Sequence, residues 1–189
     1  MRKTLLPAVM IFLFCCLSNA KADQTVDGEL AKAGTLYSEA RYTEALSLYE
    51  RLLNARSGKV SSGFVLMRIG DCQFHLADYQ GAVRAYRVAL EYQQGPERPA
   101  TQFWIGFSTF LLHKDADAVA EFLKIPERYP ASGMWVSTAY YWAGKVSEHM
   151  GKREQAAAYY HKAGGTGAST QERFALKKAE TMTKEARVR

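Results

Sequence analysis

The chain has 189 residues and a formal net charge of +6; it is 48% hydrophobic, 12% aromatic and 23% charged. That much apolar mass excludes a mainly disordered chain, because burial can offset the entropy of ordering. Fourteen Gly without a G-X-Y period exclude a collagen-like chain, three Cys exclude a disulfide framework, and only five Pro favour helix.

The first 22 residues read as a secretory signal peptide, outside the fold. Arg2 and Lys3 give a positive start, Leu5 to Leu17 form an apolar run of 13 residues, and Ala20-Lys21-Ala22 supplies small residues for cleavage. A membrane span needs about 20 apolar residues, so this run is too short. A lipid anchor is disfavoured, because Cys15 follows Phe14 and Cys16 follows Cys15, where a small residue is required. Cleavage is expected after Ala22, or after Ala20 with Ser18-Asn19-Ala20 as the recognised stretch. Cleavage after Ala22 removes Arg2, Lys3 and Lys21, lowers the net charge to +3 and leaves Cys72 as the one cysteine. The expected localisation is therefore export, to the periplasm, with little reason to expect a nucleic-acid partner. No intramolecular disulfide can form, and Cys72 is expected to be buried.

A period near 36 residues organises the remainder. Gly70, Ala82 and Tyr86 are spaced by twelve and four residues; Gly106, Ala118 and Phe122 repeat that spacing, as do Gly144, Ala156 and Tyr160, with Ala33, Ala45 and Tyr49 a degenerate copy. Leu52, Ala89, Ile125 and Ala163 each follow the alanine by seven. Every unit reads as two amphipathic helices joined by a short turn. The early small residue and the alanine are expected where the two helices cross closely, since a larger side chain would hold the axes apart. The aromatic one turn later is expected to fill space against the next unit. Turns are expected at Ala77-Asp78, Lys114-Asp115 and Gly151-Lys152, with Asp115 as the N-cap of its helix.

These residues resemble the tetratricopeptide repeat (TPR) pattern of small residue, alanine, aromatic and late proline, the last at Pro130. Tyr42 and Tyr79 match the family's aromatic three residues before the alanine, whereas Ala33 replaces the first glycine and Asp115 the third such tyrosine. The resemblance implies an all-α, right-handed solenoid of about four repeats, near 26–59, 63–96, 99–132 and 137–168, plus a C-terminal capping helix over 169–189. Glu127-Arg128-Tyr129-Pro130-Ala131-Ser132 and Tyr140-Tyr141-Trp142-Ala143-Gly144 are further similar to exported bacterial envelope TPR proteins of the Tol–Pal coordinator and outer-membrane assembly type.

Gln93 to Pro99 reads as the clearest loop, a joint between units. Gly164-Gly165-Thr166-Gly167 breaks the last repeat, and Ser169 with Glu172 three residues on forms a capping-box signature. Phe174, Ala175, Ala179, Met182 and Ala186 then share one face of the cap, with Ala186 to Arg189 expected to fray.

No constellation of catalytic type stands out. His75, His113, His149 and His161 pair neither with one another nor with Cys72 at helical i, i+4 spacing, so no metal site is expected. The glycine run lacks the lysine of a phosphate loop, and no cofactor is implied. A surface remains. In the TPR family the first helices of successive units line the concave groove, which implies a binding surface at Arg68, Phe74, Phe103, Trp104, Phe107, Tyr141, Trp142 and Lys145. Trp142 is expected beside Trp104, and Arg68 and Lys145 are expected to flank the aromatics and orient acidic residues of a ligand. The clamp that binds C-terminal carboxylates in some TPR domains is missing, because its places hold Gly34, Asp71, Phe107 and Lys145. The same aromatics read equally as core, so both readings stand at the level of sequence. The expected function is a non-catalytic exported scaffold binding a protein or peptide of the cell envelope. The alternative is an accessory or substrate-binding module for peptidoglycan processing, which would expose aromatics for sugar stacking.

Overall fold

A computed structural model describes residues 26–55, 61–165 and 169–187. The expected signal peptide, its cleavage site and Thr166-Gly167 lie outside the described residues. Nine helices and no strand occur among the described residues. They are α1 (26–38), α2 (Tyr42–Asn54), α3 (Ser62–His75), α4 (Tyr79–Tyr92), α5 (Arg98–Leu111), α6 (Asp115–Arg128), α7 (Gly133–His149), α8 (Arg153–Gly164) and α9 (Thr170–Arg187). From α2 to α9 each helix packs on the next in the chain, and α5 also meets α7. The molecule is thus a linear stack of helix pairs, an all-α repeat fold closed by α9.

The twelve-residue spacing has a direct structural cause. Ala45, Ala82, Ala118 and Ala156 are fully buried. A Cβ added to Gly70, Gly106 or Gly144 would come within 2.6, 2.8 or 2.9 Å of the ring of Tyr86, Phe122 or Tyr160. Each aromatic therefore lies flat on the glycine of its own pair. Each also fills space against the element that follows, as expected: Tyr86 clusters with Ile105 of α5, Phe122 meets Trp142 of α7 at 6.3 Å, and Tyr160 packs with Ala175 and Ala179 of α9.

The turns inside the pairs are equally regular. Ala40, Ala77, His113 and Gly151 all adopt left-handed backbone, with φ of 58°, 61°, 59° and 75°. A non-glycine residue there is strained, and three of the four turns accept that strain to reverse the chain in so few residues. This register moves the third turn one residue earlier than expected, to His113-Lys114. Asp115 is consequently the first residue of α6, not its N-cap, and no side chain caps that helix. Asp78 does cap α4, accepting from the Gly81 N–H at 2.8 Å.

The joints between pairs differ modestly from expectation. The Gln93 loop ends before Arg98, and Pro99 sits in the first turn of α5, where its missing N–H costs nothing. The helix α7 begins at Gly133, four residues ahead of the expected start of its repeat. The capping box forms as read: Glu172 N–H donates to Ser169 Oγ at 3.1 Å, and Ser169 N–H to Glu172 Oε2 at 3.3 Å. Ala175, Ala179 and Met182 are buried against α8. Phe174 is not on that buried face; it is 54% exposed and leans on Tyr141. Leu176 takes a place the sequence reading missed, directly over Gly164. The backbone of α9 stays helical to Arg187 rather than fraying from Ala186.

Candidate protein-binding surface

The first helices carry an unbroken run of ring contacts. Tyr37 of α1 meets His75 of α3 at 5.7 Å, and His75 meets Phe74 at 5.8 Å. Phe74 packs on Trp104 and Phe107 of α5, at 5.1 and 5.8 Å. Phe107 then meets Trp142 of α7 edge to face at 4.7 Å. Trp142 adjoins Tyr141, and Tyr141 reaches Phe174 of α9 at 6.2 Å. Spacing of three and four residues on α5 puts Phe103, Trp104 and Phe107 on one stripe, and their rings do touch one another.

The predicted site residues divide on burial. Phe74, Trp104, Phe107, Tyr141 and Trp142 are half-buried, with part of each ring open. Phe103 is 8% exposed and packs on Phe122 and Trp135. It is core, and is removed from the surface: its α5 position turns toward α6 and α7 instead of outward. Trp142 does not stand beside Trp104, because Phe107 lies between them. Trp135 was not anticipated at all, since it falls in the first turn of an early-starting α7.

The two expected cations also differ. Arg68 donates to Asp71 Oδ2 at 3.0 Å and lies over the rings of Phe64 and Tyr37. Its charge is already matched, which corrects its role as a free flank. Asp71 also accepts from the Tyr86 hydroxyl at 2.9 Å. Burial raises the pKa of Asp71 above the ordinary carboxylate value, and raises that of Tyr86 too. Lys145 is exposed, lies 5.2 Å from the Trp142 ring centre, and has no acidic partner among the described residues. It is the available cation of this surface.

The remaining chemistry-bearing residues are structural. Cys72 is fully buried, and burial followed by the nearby Asp71 charge pushes its thiol up to about 12. His75 stacks on Tyr42 at 4.3 Å and bonds the Tyr37 hydroxyl at 3.1 Å. His149 Nδ1 lies 2.7 Å from Asp115 Oδ2. Tyr42 and Asp115 both open the second helix of a pair, so the two histidines clasp the same place in the pair before their own. Their equivalence was legible in the sequence, but the partner was not. Among the described residues no group of three or more His, Cys, Asp or Glu is placed to hold a metal ion, and no helix is long and apolar enough to cross a membrane.

The tetratricopeptide repeat model matches residues 64–93 and 138–164. The fold is that of a TPR solenoid. The apo form of RapI superposes with a TM-score of 0.73 at 11% identity, covering 84% of this chain and 48% of RapI, so the chain spans about half the length of that protein. A tetratricopeptide repeat protein from Parabacteroides merdae ATCC 43184 gives 0.69 at 14% identity, covering 86% of this chain and 61% of that one. MamA gives 0.58 at 15% identity, covering 83% of this chain and 97% of MamA. At these identities the likeness is one of fold. No curated protein matches the sequence. TPR repeats generally mediate protein–protein interaction and act as non-catalytic scaffolds.

Proposed function

We propose that the protein is a non-catalytic exported scaffold that binds a protein or peptide of the cell envelope through the aromatic surface of its first helices. The observation that carries this reading is the run of half-buried rings from Phe74 through Phe107 to Trp142 and Tyr141, with Lys145 unpaired beside it. A core needs no such continuity across three pairs on one side of the stack. An apolar ligand does, and apolar patches of this kind mark contact sites. The positive start, apolar run and Ala20-Lys21-Ala22 support export, with the periplasm as destination. The Glu127–Ser132 and Tyr140–Gly144 stretches, similar to exported TPR proteins of the Tol–Pal coordinator and outer-membrane assembly type, motivate an envelope partner. Stacking on sugars is less well served: Phe107 and Trp142 meet edge to face, and Lys145 lies over the Trp142 ring.

Crosslinked capture from intact envelope tests the surface. Trp142→Ala with Lys145→Ala is expected to weaken recovery of the partner at least tenfold while helical circular dichroism is kept, since tryptophans at such centres typically contribute about 2 kcal/mol or more. Lys152→Ala, in a turn, is the control. Unchanged recovery with the fold intact would overturn the reading. N-terminal sequencing of the exported chain is expected to begin at Asp23 or Lys21; a full-length cytoplasmic chain would remove the envelope role.

A further inference from the structure

The second helices carry a different surface. Two adjoining clefts open between α4 and α6, above part of α5. One, of about 450 Å³, has Arg84, Arg87, Lys114 and Asp117 at its rim and Val83 and Leu112 among its walls. The other, of about 350 Å³, is lined by Arg87, Arg98, Lys124 and Arg128, with Leu90 and Ile105. Six cations thus face three carboxylates: Glu91, Asp117 and Glu121.

Glu121 borders both clefts with its side chain 8% exposed. It accepts from Lys124 at 2.7 Å, Arg87 at 2.8 Å and Gln102 at 2.9 Å. Burial raises its pKa, but these donors outweigh burial and hold it below the ordinary carboxylate range. It therefore stays charged, and fixes two cations on opposite walls. Arg98 is likewise tied down, donating to the carbonyls of Leu90 and Gln93. Arg84, Lys114 and Arg128 are exposed and have no acidic partner among the described residues. Three held and three open cations around Leu90 and Leu112 make a preorganised anion-binding slot.

We propose that this double cleft binds an extended acidic segment of a partner protein. Arg84 and Arg87, and Lys124 and Arg128, are each about one helical turn apart on facing helices, which suits carboxylates at alternating positions of a strand. Leu90 and Leu112, the half-buried apolar side chains of the two clefts, then receive the apolar side chains between them. A flat lipid headgroup plane cannot reach those walls, and a phosphate polymer has nothing apolar to place on them. The site is independent of the aromatic surface on the first helices.

The test is fluorescence anisotropy with a labelled peptide of interleaved Glu and Leu residues, titrated with the protein at low ionic strength. Binding is expected to weaken at least tenfold in Arg84→Glu with Arg128→Glu, to fall less in Arg84→Gln with Arg128→Gln, and to stay unchanged in Trp142→Ala. Circular dichroism checks that each variant is folded. Absence of binding, equal binding by the charge-reversed protein, or loss in Trp142→Ala would overturn the proposal. So would displacement of the peptide by phosphatidylglycerol vesicles or polyphosphate more readily than by excess unlabelled peptide.

Discussion

The second and fourth helix pairs close their glycine–aromatic crossing with a polar bond, and the third does not. Tyr86 donates to Asp71 and Tyr160 donates to Glu148, each at 2.9 Å. In the third pair the ring over Gly106 is Phe122, fully buried beside Phe103 and Trp142. The ring-on-glycine contact is therefore common to these three pairs, and the carboxylate is an addition made pair by pair. The apolar pair is also the one whose first helix supplies Trp104 and Phe107 to the surface.

The largest effect comes from the shared contact. Gly106→Val places a branched side chain where even a Cβ would lie 2.8 Å from Phe122. Overpacking of this kind costs about 1–3 kcal/mol or more. The Gly34→Val change, at a helical position with nothing within 4 Å, is expected to stay within about 0.5 kcal/mol. Urea unfolding of the two variants measures the difference, and equal losses would mean that the glycines are not packing devices.

Next come the hydroxyls that separate the pairs. Tyr86→Phe leaves a buried Asp71 with Arg68 alone and is expected to cost about 1–3 kcal/mol. Tyr160→Phe is expected to cost less, about 0.5–1.5 kcal/mol, because Glu148 is more exposed and keeps Lys178 at 2.8 Å. Phe122→Tyr should destabilise rather than help, since the hydroxyl would enter a cluster of rings. Thermal melts rank the three, and a stabilised Phe122→Tyr would erase the distinction between the pairs.

Fold and surface were not equally legible. Glycine, alanine and aromatic at fixed spacing report backbone approach, which only small residues permit, so the helix pairs could be read from one sequence. The hydrogen-bond partner of the aromatic could not, because the same spacing holds for Tyr86 and Tyr160, which bond a carboxylate, and for Phe122, which has no hydroxyl. On α5, Phe103, Trp104 and Phe107 share a stripe, but burial depends on the tilt of α7, and only Phe103 is sealed by Trp135 and Phe122. Arg68 looked free because its neutraliser Asp71 is common enough on any helix to pass unnoticed. The cationic clefts escaped altogether, since α4 and α6 are 36 residues apart in register and their charges meet only when the pairs stack.

The smallest effects are slopes with pH, and they oppose each other. Burial foremost raises the pKa of Asp71 above 3.8, against the bonds from Tyr86 and Arg68. As pH rises from about 3.8 through the folded value, the unfolded chain ionises first, so this group withdraws stability. For Glu148 burial acts upward too, but the bonds from Lys178 and Tyr160 and the Lys178 charge prevail and lower its pKa below 4.5. As pH falls from about 4.5 through the folded value, the unfolded chain takes up protons first, so this group's contribution is lost on acidification. Asp71→Asn is therefore expected to gain on the parent protein as pH rises above about 4, whereas Glu148→Gln is expected to close its deficit as pH drops below about 4.5. Urea unfolding from about pH 3 to pH 7 reads both differences. Two curves running parallel to the parent would mean that the polar closures of the second and fourth pairs are electrostatically alike, and that burial alone does not set them apart.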